Sequence, residues 1–382
     1  MKNKFIKTGL FLMMSSLLIV GCKKKEVEPT EEVPTPTTYT VPSTYNFVSI
    51  DTVDSKQKIA MLAELTTYIK TTHSATDAPI LDAQKLKDMF ANIGGYFSSV
   101  ELNGGGSLKS KCEAGFQADL ESNFNGIVAA STNAATNATT TTASDGVSGK
   151  MISGTRYILV DTAGIEYKEF AEKGLMNAVF YYQASTILNS ISTLDNTTKT
   201  NGTTAQERAW DQAFAYFGVP VTFPTVVTGL KNWGSYCNSV SNSLAGNTSN
   251  EATSLNATIM KAWITGRAAI SNGDDATRNS AITSVLRNWE KVIAGRFITY
   301  CKGALANVTA PATYHHNLSE ALGFIKAFQF NSNKTISDTD IETLMNYFKT
   351  NNSVNLYKVT TTNVNNAISK MAFIFNLDAS KL

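Results

Sequence analysis

His316 is followed four positions later by Glu320, and this pair carries the clearest chemistry in the chain. At about 100° per residue, His316, Glu320, Gly323 and Ala327 fall within about 60° of one another on a helix. Leu318, Leu322, Ile325 and Phe328 cover the opposite side. A helix that is apolar on one face and small-sided on the other is packed on both, and the small residues admit a neighbouring backbone. His316 and Glu320 then share a sheltered stripe, close enough to touch. An inward imidazole and carboxylate are the residue types with which bundle interiors hold a divalent metal or iron. Two ligands do not suffice, so Glu or Asp from other helices must complete the set. The alternative is a structural pair, in which the two groups hydrogen-bond each other.

A second stretch follows the same pattern. Ser319 to Ile325 can be laid over Asp211 to Phe217, which sets His316 over Arg208 and Glu320 over Gln212. Arg208, Asp211 and Gln212 are therefore the candidate counterpart in a second copy. Arg208 has no acceptor and stays charged, so this copy reads as ion-paired or anion-facing and not as a metal site. The competing reading is an exposed helix start with Glu207 and Arg208 in water.

Other chemistries find little support. No HExxH motif occurs, and three histidines leave little for zinc hydrolysis. There is no Gly-x-Ser-x-Gly elbow, and the Gly104-Gly105-Gly106 run precedes a helix cap at Ser107 instead of following a strand. No catalytic residues and no organic cofactor are expected, and the chain reads as a non-enzyme. Cys112, Cys237 and Cys301 are far apart in sequence, which excludes a CxxC pair. They form either one disulfide with a spare thiol or three buried thiols. The apolar helical stripes around Cys112 and Cys301 favour the latter.

The elements that must position these groups read as helices. Leu108, Cys112, Phe116, Leu120, Phe124 and Ile127 form one stripe, and Ile282 through Trp289, Phe297 and Cys301 to Leu305 another. Further helices are expected over 56–72, 82–93, 165–194, 205–217, 229–243, 252–271, 317–330, 338–349 and 363–376. Breaks are expected at Gly273-Asp274-Asp275 and at Asn247 to Asn250. Trp233, Trp263 and Trp289 lie at apolar helical positions and belong to the core. Only Tyr157 to Val160 reads as a strand, too little for a sheet. The Ala, Thr, Asn and Ser run from Ala129 to Ser144 reads as a frayed helix end or surface loop. The fold class is all-α: two packed helix-bundle halves over 44–200 and 201–382, with little or no sheet.

The amino terminus reads as an address. Lys2, Lys4 and Lys7 precede an apolar stretch from Leu10 to Val20 that is short for a membrane span and ends at Gly21-Cys22. Residues 1–21 are expected to be a signal peptide and Cys22 a lipidated first residue, resembling the bacterial lipobox. Two or three acyl chains, at roughly 0.8 kcal/mol per buried methylene, hold a protein to a membrane almost permanently. Residues 22–43, with Lys23-Lys24-Lys25 and Pro29, Pro34 and Pro36, form a charged tether that cannot pack a core. The chain carries 33 Lys and Arg against 31 Asp and Glu. Loss of three lysines with the leader leaves a near-neutral body, which excludes nucleic acid as a partner.

Several segments together resemble the imelysin-like lipoproteins, in particular an uncharacterised Bacteroidetes branch. They are Leu81 to Asn92, Glu172-Lys173-Gly174-Leu175-Met176, Trp210 to Phe214, Gly218-Val219-Pro220 and His316 to Phe324. The resemblance covers most of residues 45–380 and rests on their order. It implies an all-α fold of two bundle-like halves and an association with bacterial iron uptake. It also implies a metal role for His316 and Glu320, although the spacing here is His-x-x-x-Glu where the family has Gly-x-His-x-x-Glu. The resulting expectation is a ligand- or metal-binding lipoprotein on the outer membrane, facing the periplasm or the cell surface. A surface lipoprotein that binds an envelope protein partner and has no small-molecule site is the alternative, and a peptidase-like hydrolase is a third reading.

Overall fold

Most helix starts in this chain are written as side-chain caps. The computed structural model describes residues 38–74, 78–136, 139–245 and 253–382. Within them Asp82, Ser107, Thr204, Ser254, Asp274, Ser337 and Thr360 each accept a hydrogen bond from a backbone N–H of the turn that follows. Those N–H groups have no partner inside the helix, so each cap fixes where its helix begins. Thr204 and Glu207 form a reciprocal capping box, and Gly218 ends that helix in the left-handed conformation.

In chain order the helices are α1 (Val53–Lys70), α2 (Ala83–Ala91), α3 (Val100–Asn103), α4 (Leu108–Lys111) and α5 (Ala114–Thr136). After a hairpin of β1 (Gly149–Ser153) and β2 (Arg156–Val160) come α6 (Tyr167–Leu175), a π-helical stretch (Met176–Tyr181) and α7 (Tyr182–Ser190). Then follow α8 (Ala205–Phe217), α9 (Asn232–Ala245), α10 (Leu255–Ser271), α11 (Asp275–Leu305) and α12 (Pro311–Ala327). The chain closes with α13 (Asp338–Asn346), a pair of two-residue strands, β3 (Lys349–Thr350) and β4 (Ser353–Val354), and α14 (Thr361–Phe375). The fold is all-α. The stretches 44–200 and 201–382 pack together, with α12 against α6 and α8 against α1 and α7.

The long α11, spanning about 46 Å at 1.5 Å per residue, packs against α10, α12 and α14. Its neighbours enclose an aromatic centre in which Trp210, Trp233, Trp263 and Trp289 are all fully buried. Trp233 and Trp263 lie 5.8 and 6.4 Å from Trp289, ring centre to ring centre. The Trp210 indole N–H donates to the Trp263 carbonyl at 3.0 Å, and that of Trp233 to the Met176 carbonyl at 3.1 Å. Cys112, Cys237 and Cys301 are free thiols, all buried.

The structure departs from the sequence reading in several places. The 108–127 stripe is buried throughout, but its helix breaks at Cys112, because Glu113 turns back to accept the Phe116 N–H at 2.9 Å and so starts α5 anew. That helix runs on to Thr136 with Ala130, Ser131 and Ala134 buried, so the first part of the Ala129 to Ser144 run is packed helix and not a frayed end. The segment 157–160 does find a partner. It pairs antiparallel with Gly149–Ser153 around a turn in which Gly154 takes φ +59°. The helix expected at 317 begins at Pro311, whose fixed φ suits a first turn. Cys22, the signal peptide and Asn247 to Asn250 lie outside the described residues. The described end of the tether lies against the body, where the Tyr39 hydroxyl donates to Asp274 at 3.1 Å.

Gly266 measures how tightly α8 and α10 meet. A Cβ there would lie 2.2 Å from the Trp210 ring and 2.9 Å from Ala281 Cβ. Alanine gains about 1 kcal/mol of helix propensity over glycine, but Trp210 is held by its indole bond and cannot retreat. Gly266→Ala is therefore expected to lose about 2 kcal/mol net, as overpacked cores do. Denaturant unfolding monitored by tryptophan fluorescence checks this; a variant as stable as the parent would show that the two helices can part freely.

Candidate metal centre

The β1–β2 hairpin leads straight into the site. After β2, Asp161 accepts the N–H groups of Ala163 (2.9 Å) and Ile165 (2.8 Å), folding residues 161–165 into a tight turn. Gly164 sits in that turn at φ +81°, and a side chain there would strike the His315 ring at 2.5 Å. His315 is spent on this contact: its Nδ1 lies 2.8 Å from the Gly164 carbonyl. Glu166 follows as the residue before α6, its backbone N–H donating to Ser319 Oγ at 2.9 Å. One strand end, one turn and one bond to α12 thus set Glu166 against the face of α12 that carries His316.

From Glu166 the chain continues as Glu166-x-x-Glu169-x-x-Glu172, a spacing that keeps acidic groups near one face of α6. His316 Nδ1 lies 2.8 Å from Glu166 Oε2 and 3.5 Å from Glu169 Oε1. One donor atom each from Glu166, Glu169 and His316 falls within 4.8 Å of the others. His73, just beyond α1, brings its Nε2 to 3.8 Å from the other oxygen of Glu166, Oε1, which accepts no hydrogen bond although Glu166 is buried. Glu320 lies on the far side of the His316 ring, its Oε1 4.0 Å from Nε2. Its other oxygen faces Lys173 Nζ at 3.0 Å.

The expected inward pair is thus present, since Glu320 is buried and the His316 side chain is 17% exposed. The nearest partner of each, however, comes from α6 or the residue just before it. Gly323 makes this possible, because a Cβ there would meet Lys173 Cβ at 2.6 Å.

The charges in this cluster do not balance. Lys173 is shared by Glu169 (2.9 Å), Glu172 (3.0 Å) and Glu320 (3.0 Å). Lys168 is shared by Glu169 and Glu172, both at 2.5 Å. Two ammonium groups therefore face four carboxylates once Glu166 is counted. Burial would lower the Lys173 ammonium, yet its three carboxylates hold it charged well above the ordinary lysine value. Burial would raise Glu169, but Lys173, Lys168 and His316 keep it well below the carboxylate range. Glu320 is left short: burial, and after it the Glu169 carboxylate, push it up to about 8 in spite of Lys173. For His316, burial acts downward, but the Glu166 bond and the carboxylates of Glu166, Glu169 and Glu320 outweigh it and the ring titrates above the usual value. Burial dominates at His73 and lowers it, which favours the neutral imidazole that a metal needs.

The proposed counterpart residues meet other partners. Arg208 donates to the Thr203 and Thr200 carbonyls at 2.7 and 3.3 Å. Asp211 is fully buried and takes Arg267 Nε at 2.9 Å and the Tyr45 hydroxyl at 2.6 Å. Gln212 contributes its backbone carbonyl to Ser55 at 3.0 Å. The helix start is not in water: Glu207 is buried and bonds Arg267 at 2.7 Å. This cluster has an ion pair of its own, made by Arg267 and not by Arg208.

Glu166, Glu169 and His73 were not singled out in the sequence. The Glu-x-x-Glu-x-x-Glu spacing was a readable signal for the first two. His73 had none, because only tertiary packing brings the end of α1 to α6.

The raised Glu320 gives a pH signature in metal-free protein. Between the ordinary glutamate value of 4.5 and about 8, the folded state keeps a proton that the unfolded chain has released. This contribution to stability is complete below the lower value and is lost as pH rises through the upper one. Glu320→Gln carries no charge at any pH, so its stability relative to the parent is expected to improve between pH 5 and pH 8. Denaturant titrations in chelator at both pH values check this, and an unchanged difference would contradict the buried-proton account.

No curated protein and no solved structure matches the chain. Residues 42–377, nearly the whole described body, match a single family, and the chain belongs to it: the domain of unknown function DUF4856.

Proposed function

We propose that this is a lipid-anchored protein of the bacterial envelope that binds a metal cation at Glu166, Glu169 and His316. The observation that carries the reading is the charge shortfall: four carboxylates, one of them bonded to the His316 imidazole, are set against two ammonium groups in a largely buried gap. A buried carboxylate oxygen without a hydrogen bond costs several kcal/mol unless a cation or proton meets it, and Glu166 Oε1 is such an atom. Imidazole nitrogen with carboxylate oxygen is a donor set suited to divalent cations and iron. Glu320 stands on the other side of the ring, its Oε1 4.0 Å from Nε2, beyond hydrogen-bond reach but near enough for its charge to act on the imidazole. In this reading Glu320 acts on His316 by charge and is not itself a ligand.

The wider setting follows from the leader sequence and from the resemblance to imelysin-like lipoproteins of a Bacteroidetes branch, which supports a link to iron uptake. Lipidation of Cys22 would tether the body to the outer membrane, facing the periplasm or the surface, beside an envelope protein partner. No helix among the described residues is long and apolar enough to cross a membrane.

Two measurements test the reading. Protein purified without chelators should carry about one equivalent of a metal by elemental analysis. In calorimetry with the same ion, Glu166→Gln, which keeps shape and fold, should weaken binding by at least the roughly 10- to 100-fold seen for outer-shell partners. A parent protein that takes up no divalent or ferric ion would leave the cluster a purely structural ion network and favour the interaction-lipoprotein alternative. Separately, Cys22→Ser should move the protein from the membrane to the soluble fraction; continued membrane retention would remove the lipid anchor.

A further inference from the structure

Two cavities share one aromatic wall where α5, α6 and the end of α12 meet. The outer is an open cleft of about 690 Å³ bounded by α5, α7 and residues 329–332. The inner is a narrow slot between α6 and α12, with room for about 20 Å³. Phe116, Gln329 and Phe330 line both. The Phe116 ring stacks on Phe170 at 5.6 Å and meets the edge of Phe330 at 6.0 Å, ring centre to ring centre. Gly174 leaves room for that ring, since a Cβ there would lie 2.2 Å from Phe116 Cζ.

Some polar groups of the slot are already bonded. Ser319 Oγ donates to the His315 carbonyl at 2.7 Å and accepts the Glu166 N–H, and the Asn177 amide donates to the Gly323 carbonyl at 2.8 Å. Two others are left. The Gln329 amide and the Lys326 ammonium line the slot, and neither has a hydrogen bond or ion pair among the described residues. Lys326 Nζ lies 5.3 Å from the centre of the Phe170 ring, close enough for a cation over an aromatic face. Burial pulls this ammonium below the ordinary lysine value, and Asp119 and Asp161 bring it only part of the way back. A half-enclosed cation with no partner gains from an anion placed beside it.

We infer that the two cavities form a binding site, separate from the acidic cluster, for a small monocarboxylic acid with a ring-sized apolar body, and that Lys326 pairs with its carboxylate. The sizes set the arrangement. A slot of about 20 Å³ admits a head group little larger than one water. The ring must then lie in the cleft against Phe116 and Phe330, where about 690 Å³ is within the range of small-molecule sites. The charges set the class. One ammonium balances one negative charge, and Glu113 and Asp119 on the cleft wall repel a second.

Phenylacetate is the probe, with phenylacetamide as its uncharged twin, each titrated into the full chain in chelator and followed by ligand-observed NMR. Binding in the millimolar range is expected for a ligand of about ten heavy atoms, with the acid favoured about tenfold over the amide. Lys326→Met keeps the length of the stem and should erase that preference, whereas Lys326→Arg keeps the charge and should retain it. Glu166→Gln should bind phenylacetate as the parent does. A second carboxylate, in 4-carboxyphenylacetate, should weaken binding to the parent, and Asp119→Asn should restore part of the loss. A parent that takes up no phenylacetate by about 10 mM, or that binds acid and amide alike, overturns the inference. So does loss of binding in Glu166→Gln with retention in Lys326→Met, which would move the carboxylate to the acidic cluster. Equal binding of the mono- and dicarboxylate by the parent would overturn the ligand class.

Discussion

One buried ammonium group, that of Lys173, holds three carboxylates, and the arrangement of α6 against α12 depends on it. A buried charge is tolerated only when paired, and breaking such a pair typically costs 3–5 kcal/mol. Lys173 cannot satisfy three acids fully, so the shortfall is passed outward to Glu320, which keeps a proton, and to His316, which is drawn toward a positive state. The site is therefore poised between two ways of reaching neutrality, protons or a bound cation. The cluster around Arg267 shows the same shortage: one guanidinium serves Asp211 and Glu207, with Tyr45 and Ser271 completing the contacts, while Asp211 Oδ2 accepts no hydrogen bond and burial pushes that carboxyl up to about 6.

How much of this was legible in the sequence depended on distance along the chain. Helix positions were largely readable because their signals are local: apolar recurrence at three and four, a cap at Ser107, a break at Gly273 before Asp274. The 165–194 stretch read as one helix because π-helical turns keep the same composition and nearly the same periodicity. The β1 strand was missed because Gly149 and Lys150 carry no strand bias, and only pairing with 157–160 makes them extended. At the site, the inward pair of His316 and Glu320 could be read from angles on one helix. Its principal partners could not, since nothing in a helical wheel of 311–327 encodes which face of α6 will lie opposite.

Gly323 of α12 was expected to admit a neighbouring backbone; what it admits is the Cβ and Cγ of the Lys173 side chain. That contact brings the ammonium within reach of Glu320, so a packing feature and an electrostatic one are the same feature. The counterpart stretch around Asp211 has Ala215 where α12 has Gly323, yet its buried acid meets an arginine from α10. Similar helical patterns thus enclose different charge chemistry according to which neighbour packs against them.

The π-helical stretch from Met176 to Tyr181 begins immediately after α6 and is fixed from two sides, by the Trp233 indole on the Met176 carbonyl and by Asn177 on the Gly323 carbonyl. A wide turn of this kind behaves as one residue inserted into an otherwise regular helix. Excising that residue would let the rod run true, but at 3.6 residues per turn it would also rotate everything upstream by about 100°. Glu166, Glu169 and Lys173 would swing off the α12 face together. The bulge therefore acts as a phase setting for the acidic face, and chains of this family that lack it would have to find another way to aim those groups.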